Sequence, residues 1–142
     1  MTEGAWHVPS RARLRGVVIG VGIDVVDIER FRVSLARTPS MRERLFTQVE
    51  LDYVAPKADP VPSLAARFAA REAVMKAMGL GLGAFGFHDV WVEVDAASGA
   101  PRLQVDGAAK QLATARGVQS WHLSLAHDGG VATAMVVAAN HP

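Results

Sequence analysis

Two carboxylates and a lysine are the residues of this chain whose types and spacing most clearly suggest chemistry. Asp24 interrupts an apolar, β-branched run between Val17 and Val26, where a buried charge is costly unless a positive group meets it. Glu72 and Lys76 are four residues apart on a predicted helix, so they lie on the same side of it. Magnesium prefers oxygen ligands and often takes only one or two carboxylates, with water and substrate phosphate completing its coordination. The three residues therefore suggest a magnesium ion bound next to a phosphate.

Each of these residues also has a purely structural interpretation. Asp24 could cap the helix that follows it. Glu72 followed by Lys76 is a favourable exposed helix pair, worth roughly 0.3–0.5 kcal/mol. Spacing alone does not decide between a metal site and these two local roles.

The elements that position these residues are predicted from hydrophobic periodicity and from capping residues. The predicted strands are 17–23, 90–95, 103–105, 121–126 and 131–138. The predicted helices before the loop at 79–86 begin at capping side chains, which are Asp27, Ser40, Thr47 and Ser63. A further helix is expected at 107–115, and the first strand is expected to be buried on both faces. This order predicts an α+β fold with a mainly antiparallel sheet.

The helix predicted at 63–78 lacks a polar side. One face carries large apolar residues, and the opposite face is alanine from Ala65 to Ala77. Such a helix is expected to be buried around most of its circumference, and its alanines permit close approach of another backbone. Arg67 and Arg71 on this helix must then find partners.

Length and composition indicate one domain of 142 residues, which we divide into a flexible N-terminal arm at 1–16 and a domain at 17–142. No run of about 18 apolar residues is present, so we expect no membrane partner. The start of the chain lacks the apolar segment of a signal peptide. Cysteine is absent, which excludes thiol catalysis and fits a cytoplasmic location.

Charge is unevenly distributed along the chain, although the net charge is only +1. The first 45 residues contain eight arginines and five acidic residues. This excess suggests an acidic partner near the first helix, or simply a solvated helix face. A nucleic-acid-binding domain is a poor fit, because no groove-reading motif is present and aromatic residues are few.

Two segments resemble the motifs of a known enzyme family. Residues 20–31 (GVGIDVVDIERF) resemble the opening motif of holo-acyl-carrier-protein synthases. Residues 67–79 (RFAAREAVMKAMG) resemble the carboxylate and lysine helix of phosphopantetheinyl transferases. The order and separation of the motifs agree with that family, as does the segment 121–127 (WHLSLAH). The resemblance covers about residues 17–138.

The resemblance implies the phosphopantetheinyl transferase fold, in a trimer with sites between subunits. It implies transfer of 4′-phosphopantetheine from coenzyme A to a serine of apo acyl carrier protein, leaving adenosine 3′,5′-bisphosphate. Asp24 and Glu72 would hold Mg²⁺ on the coenzyme A pyrophosphate. Lys76 would neutralise the phosphate or assist proton transfer. Glu72 or a metal-bound water could take the serine proton, and the sequence does not choose between them.

The same resemblance assigns further binding residues. Arg30 and, less directly, Arg44 would meet the acidic carrier protein. Ser124 and His127 match a late Ser-x-x-His signature that contributes to the nucleotide end of coenzyme A. A strand-end histidine with an ordinary hydrogen bond is the alternative for His127.

The helix end and the loop after it complete the implied coenzyme A site. Gly79 and Gly81 would border that site, although the loop by itself is a helix C-cap and connector. Arg67 would bind a phosphate or brace the buried helix.

The chain departs from the family pattern in three places. Arg71 replaces the commoner lysine before Glu72, and Ala100 stands where a basic residue is common. Residues 1–16 extend beyond the usual start. A binding module that keeps the arginines but has lost the transfer is the alternative function, and the intact set of Asp24, Glu72 and Lys76 argues against it.

Overall fold

The structure is a computed structural model that describes residues 16–142. The arm predicted at 1–16 lies outside the described residues except for Gly16. The chain forms the following helices and strands: β1 (Val18–Asp27), α1 (Ile28–Arg37), α2 (Met41–Leu45), α3 (Gln48–Val54), α4 (Val61–Ala77), β2 (Val90–Val94), β3 (Pro101–Val105), α5 (Gly107–Ala115), β4 (Ser120–Asp128) and β5 (Val131–Ala139). This order confirms the predicted α+β fold. The main difference is that β1 extends to Asp27, which places Asp24 within the strand.

Most of the predicted helix starts are correct. Asp27 caps α1, because its carboxylate accepts the backbone N–H of Arg30 at 2.8 Å. Thr47 and Glu50 form a capping box at the start of α3. The predicted start of α4 at Ser63 is wrong, because the helix begins at Val61. Proline is tolerated in a first helical turn, so the prolines here do not delay the helix.

The strands form two antiparallel sheets. β1, β5 and β4 make a three-stranded sheet in that order, and β2 pairs with β3 in a hairpin. In the larger sheet Asp24 lies opposite Ala134, which in turn lies opposite Leu125. Asp24 is therefore on an edge strand, with its side chain on the face that α4 covers.

Helix α4 lies against this sheet at very short distance because two glycines of β1 face it. A Cβ atom built on Gly22 would lie 1.8 Å from the carbonyl oxygen of Ala73. A Cβ on Gly20 would lie equally close to the carbonyl oxygen of Ala77, at 1.8 Å. Real Cβ contacts are never this short, so any side chain at either glycine would push the helix away from the strand.

The opposite face of β1 is open in the single chain. Val21, Ile23 and Val25 are 57%, 55% and 59% exposed, respectively. The prediction that β1 is buried on both faces is therefore wrong for one subunit. The continuous apolar run in the sequence reflects one face packed on α4 and one apolar face that this chain does not cover.

A buried ion pair fixes the other side of α4. Arg71 and Glu50 are both fully buried, and Arg71 Nη1 donates to Glu50 Oε2 at 2.9 Å. Arg71 Nε also donates to the carbonyl oxygen of Phe87 at 2.8 Å. Glu50 accepts the N–H of Val92 at 3.2 Å and the N–H of Thr47 at 3.0 Å. Every part of this pair is hydrogen-bonded, which is the condition under which a buried charge is tolerated.

Helix α4 is buried on nearly all sides, as its sequence predicts. Among residues 16–142, no helix combines the length and the hydropathy needed to cross a bilayer.

Replacing Gly22 with alanine tests the close contact between β1 and α4. We expect Gly22→Ala to lower the free energy of unfolding by about 3 kcal/mol or more, because the added methyl group overlaps a backbone carbonyl that cannot rotate away. Gly81→Ala is the matched control, since nothing lies within 4 Å of its built Cβ. Urea unfolding followed by circular dichroism measures both variants. Equal stability of the two variants would contradict the contact.

Candidate functional site

An open groove of about 380 Å³ lies where β1, the start of α1 and α4 meet. Three of the charged residues predicted to be functional line it, namely Asp24, Arg30 and Glu72. The ring centroids of Phe31 and Phe68 are 5.5 Å apart, and both side chains line the groove. One groove thus combines carboxylates, an arginine and an apolar wall.

Asp24 contacts Lys76 at one end of this groove. Lys76 Nζ donates to Asp24 Oδ1 at 3.1 Å and to the carbonyl oxygen of Ile23 at 3.0 Å. The Asp24 side chain is only 17% exposed, so the ammonium meets a carboxylate with limited solvation. Asp27, not Asp24, caps α1. The capping interpretation of Asp24 is therefore wrong, and the predicted meeting of Asp24 and Lys76 across a strand–helix contact is observed.

Glu72 lies near both of these charges. Partial burial raises the pKa of the Glu72 carboxyl, the neighbouring Asp24 carboxylate raises it further, and Lys76 partly offsets them. Lys76 forms its ion pair with Asp24 rather than within the helix, so the interpretation of Glu72 and Lys76 as a simple exposed pair is not supported. Each of these two carboxylates destabilises the ionised form of the other, and a bound cation would offset that repulsion.

The chemistry of this donor set fits magnesium. Asp24 and Glu72 supply hard oxygen ligands on the wall of an open groove, which leaves room for water and phosphate oxygens. No cluster of three or more histidine, cysteine or acidic side chains with metal-site geometry occurs within residues 16–142. A site made of protein ligands alone is therefore a poor fit for this groove, and a site completed by substrate phosphate is a good one.

The glycine-rich loop after α4 begins with a Schellman motif. The N–H of Leu80 bonds to the carbonyl oxygen of Met75 at 2.8 Å, and the N–H of Gly79 bonds to that of Lys76 at 3.0 Å. Gly79 has a φ of +69°, which favours glycine at this position. The predicted C-cap is confirmed, and the loop with Gly81 continues from the end of α4 that carries Lys76.

Leu82 is a groove residue that the sequence did not single out. Its side chain is 72% exposed and lines the groove that contains Asp24 and Glu72. A large apolar residue between Gly81 and Gly83 was a signal available in the sequence. Such a residue at a loop tip has no core to join, so it is a candidate for ligand contact.

Arg67 is buried and does not line the groove. Its guanidinium lies 4.7 Å from the ring centroid of Tyr53, and Nη1 donates to the carbonyl oxygen of Ser63 at 3.2 Å. Burial lowers the pKa of Arg67. These contacts support the bracing interpretation, and a phosphate-binding role for Arg67 stays a prediction.

Arg71 also points away from the groove. It precedes Glu72 in sequence, but its side chain is committed to the buried pair with Glu50. The residue that departs from the family pattern before Glu72 therefore places its charge in the buried pair and not in the groove.

Ser124 and His127 lie on β4, two strands away from Asp24 in the sheet. That separation is roughly 10 Å at the usual strand spacing. Because they are three positions apart on a strand, their side chains point to opposite faces. Neither residue lines the groove of its own chain. Their predicted role in nucleotide binding therefore requires contact with a ligand in a different way.

The two predicted docking arginines differ in position. Arg30 is exposed on α1 and lines the groove beside the carboxylates. Arg44 is exposed on α2 and does not line it.

Comparison with known proteins shows the family of the chain. A family model described as the 4′-phosphopantetheinyl transferase superfamily matches residues 20–136. A holo-[acyl-carrier-protein] synthase of Streptomyces avermitilis is 53% identical over 122 residues, covering 85% of this chain and 97% of that protein. The chain therefore belongs to the 4′-phosphopantetheinyl transferase superfamily.

Solved structures support the same fold. The crystal structure of holo-[acyl-carrier-protein] synthase from Neisseria meningitidis is similar with a TM-score of 0.77 and 31% identity, covering 86% of this chain and 98% of that one. The Helicobacter pylori synthase in complex with coenzyme A is similar with a TM-score of 0.70 and 29% identity, covering 83% and 98%.

The raised pKa of Glu72 makes a prediction about stability without metal. A carboxyl whose pKa is raised on folding stabilises the protein while protonated, below its unfolded pKa of about 4.3. That contribution is lost as pH rises through the higher folded pKa. We expect Glu72→Gln to abolish this loss, so the metal-free variant gains stability relative to wild type as pH rises through this window.

Thermal unfolding of wild type and Glu72→Gln at a series of pH values checks this prediction, because all other carboxyls are common to both proteins. We further expect Mg²⁺ to raise the Tm of wild type and not that of Glu72→Gln. A difference in Tm between wild type and Glu72→Gln that does not change with pH would contradict the raised pKa of Glu72.

Proposed function

We propose that Asp24 and Glu72 bind Mg²⁺ with the pyrophosphate of coenzyme A, and that Lys76 neutralises the phosphate during the transfer. The activity is that of a holo-[acyl-carrier-protein] synthase. It moves 4′-phosphopantetheine from coenzyme A to a serine of apo acyl carrier protein and releases adenosine 3′,5′-bisphosphate. The observation that carries this proposal is the meeting of Asp24 and Lys76 at a groove that Glu72 also lines.

The relatives support the reaction. The Streptomyces avermitilis protein is a holo-[acyl-carrier-protein] synthase, and the alignment covers nearly all of it. The Helicobacter pylori synthase was solved in complex with coenzyme A. Acyl carrier protein and coenzyme A are accordingly the substrates of this chain.

The transfer needs positioning and charge neutralisation more than covalent chemistry. The serine oxygen attacks the phosphorus that carries the pantetheine group. The bond from that phosphorus to the bridging oxygen breaks, and the electron pair leaves with adenosine 3′,5′-bisphosphate. A bound Mg²⁺ would lower the charge on the pyrophosphate oxygens.

The residues of the chain have separate tasks in this step. Lys76 is held by Asp24 and by the carbonyl oxygen of Ile23, so its ammonium is positioned before substrate arrives. It can offset negative charge that develops on a phosphate oxygen. Glu72, whose pKa is raised, can take the serine proton, with a metal-bound water as the alternative base.

Carrier docking is assigned to the arginines of the first helices. Arg30 lies on the groove and is exposed, so an acidic carrier that contacts it brings its serine close to Asp24 and Glu72. Arg44 is placed to extend the positive surface over α2. Arginines in these positions are expected to raise the association rate of the acidic carrier and to fix its orientation more than they raise its affinity.

A homotrimer with sites shared between subunits is the proposed assembly. The outward face of the three-stranded sheet presents Val21, Ile23 and Val25 together with Met135, which is 44% exposed. Apolar surface of this extent is typical of subunit contacts. Ser124 lies opposite Met135 on this face, so packing of a neighbouring subunit on it is a way for Ser124 to approach the groove of another chain. His127 lies near the end of β4 and points to the other face. A fully active monomer would contradict this assembly.

The domain limits and the location remain proposals. We place the catalytic domain at 17–142, and the absence of cysteine fits a cytoplasmic location.

A transfer assay tests the proposed function. The purified chain is mixed with apo acyl carrier protein, coenzyme A and Mg²⁺, and the carrier is weighed by mass spectrometry. We expect the mass to rise by one phosphopantetheine group. Asp24→Asn and Glu72→Gln should each lower the rate by 100-fold or more, because each removes a charged ligand from the pyrophosphate site.

Asp52→Asn is the matched control, since Asp52 is an exposed carboxylate on α3 outside the groove. Circular dichroism confirms that each variant is folded. Absence of a mass change with wild type, while a known synthase modifies the same carrier, would refute the proposal.

Charge reversal at Arg30 tests carrier docking. We expect Arg30→Glu to raise the KM for apo carrier protein at least tenfold and to leave the KM for coenzyme A within twofold, because repulsion acts on the acidic protein substrate. Arg37→Glu on the last turn of α1 is the control with the same change of charge. Equal effects on the two KM values, or equal effects of the two variants, would contradict a docking role for Arg30.

A further inference from the structure

A second cavity lies beside Lys76. It has a volume of about 500 Å³ and lies between the outer edge of β1 and the C-terminal end of α4. Its lining includes Ile19, Val21, Lys76, Gly79 and Arg116. Lys76 lines this cavity and donates to Asp24, which lines the groove, so the ion pair of Lys76 and Asp24 connects the two.

Arg116 is held rigidly at this cavity. Its Nε donates to the carbonyl oxygen of Met78 at 3.0 Å, and its Nη1 donates to the carbonyl oxygen of Leu112 at 3.1 Å. Arg116 therefore connects the C-terminal ends of α4 and α5. These bonds use two of the five guanidinium N–H donors, and Nη2 has no hydrogen bond within residues 16–142. A fixed guanidinium with free donors is suited to binding an oxyanion.

The surroundings of Arg116 also favour an anion. No carboxylate lines this cavity, whereas Arg116 and Lys76 both do, the latter paired with Asp24. The negative end of the α4 dipole opposes an anion here, but Arg116 itself covers the Met78 carbonyl there. A Cβ built on Gly79 meets nothing within 4 Å, so a ligand can approach the backbone closely.

The position of the cavity matches the length of coenzyme A. Ile19 and Val21 precede Asp24 on the same strand by five and three residues, or roughly 10 to 17 Å at the rise of a β-strand. A ligand whose pyrophosphate lies at Asp24 and Glu72 can therefore place another part of its nucleotide end, or one edge of the pyrophosphate, in this cavity.

We propose that Arg116, together with Lys76, forms a phosphate subsite for coenzyme A at the C-terminal end of α4. The subsite rests on the proposed function, because it extends the same ligand. It takes either the ribose 3′-phosphate or a pyrophosphate oxygen, and both are tetrahedral oxyanions that a guanidinium binds through paired N–H donors.

Calorimetric binding of coenzyme A and of 3′-dephospho-coenzyme A to the full chain tests this subsite. We expect Arg116→Gln to weaken coenzyme A binding about tenfold, in line with loss of one charge-assisted contact. Arg116→Lys should recover most of that loss, because it restores the charge. Lys110→Gln is the matched control, since Lys110 lies on α5, which Arg116 caps, is exposed and does not line this cavity.

The two ligands identify which phosphate is bound. If Arg116→Gln weakens coenzyme A binding but not 3′-dephospho-coenzyme A binding, the subsite holds the 3′-phosphate. If it weakens both equally, the subsite holds the pyrophosphate. Either result supports the proposal, provided that Lys110→Gln leaves both affinities within twofold of wild type.

A purely structural role for Arg116 predicts a different result. Loss of the two carbonyl contacts would lower the Tm of Arg116→Gln while the affinity of the folded variant stayed unchanged. Unchanged affinity for both ligands in folded Arg116→Gln would overturn the subsite, while wild-type transfer activity would leave the proposed function intact. Failure of wild type to bind coenzyme A would refute the proposed function itself.

Discussion

The close approach of α4 to β1 is the constraint on which the rest of this molecule depends. Gly20 and Gly22 leave no atom between the strand and the helix carbonyls of Ala77 and Ala73. Because the backbones nearly touch, the ammonium of a lysine on α4 can bond both a side chain and a backbone carbonyl of β1. The glycines therefore determine the geometry of the charged site without taking part in its chemistry.

A helix held close to a strand can still rotate about its axis, and the buried pair of Arg71 and Glu50 prevents this. Successive helix residues point about 100° apart, so fixing Arg71 toward Glu50 also fixes the direction of Glu72. The network reaches β2 through the N–H of Val92 and the loop before it through the carbonyl oxygen of Phe87. Breaking one partner of such a pair leaves a buried charge unmatched, which typically costs 3–5 kcal/mol. Position and rotation of α4 are thus set by two different sets of contacts on opposite sides of the helix.

This division explains how much could be predicted from the sequence. Asp24, Glu72 and Lys76 were singled out by local patterns, a charge inside an apolar strand and a carboxylate–lysine spacing on a helix, and the resemblance of both motifs to one family joined them into one predicted site. The partner of Arg71 was not predicted, because Glu50 lies 21 residues away and the sequence marks it only as a capping-box residue. The start of α4 was misplaced at Ser63, because prolines that usually interrupt helices are accepted in the first turn. Periodicity also could not separate a strand with two covered faces from a strand with one apolar face left open.

The open face links the site to the proposed assembly through the alternation of β1. Even-numbered residues from Gly20 to Asp24 face α4, and the odd-numbered residues from Val21 to Val25 face outward. The period of a strand is two, so a shift of one residue would exchange the two sets entirely. Such a shift would put valine and isoleucine against the helix carbonyls, where even a methyl group does not fit. It would also point the Asp24 side chain toward the outward apolar face of the sheet. The packing of α4 therefore fixes the register of the strand. That register brings Asp24 to the groove and leaves the apolar side chains of β1 on the outward face, where the proposed assembly would pack.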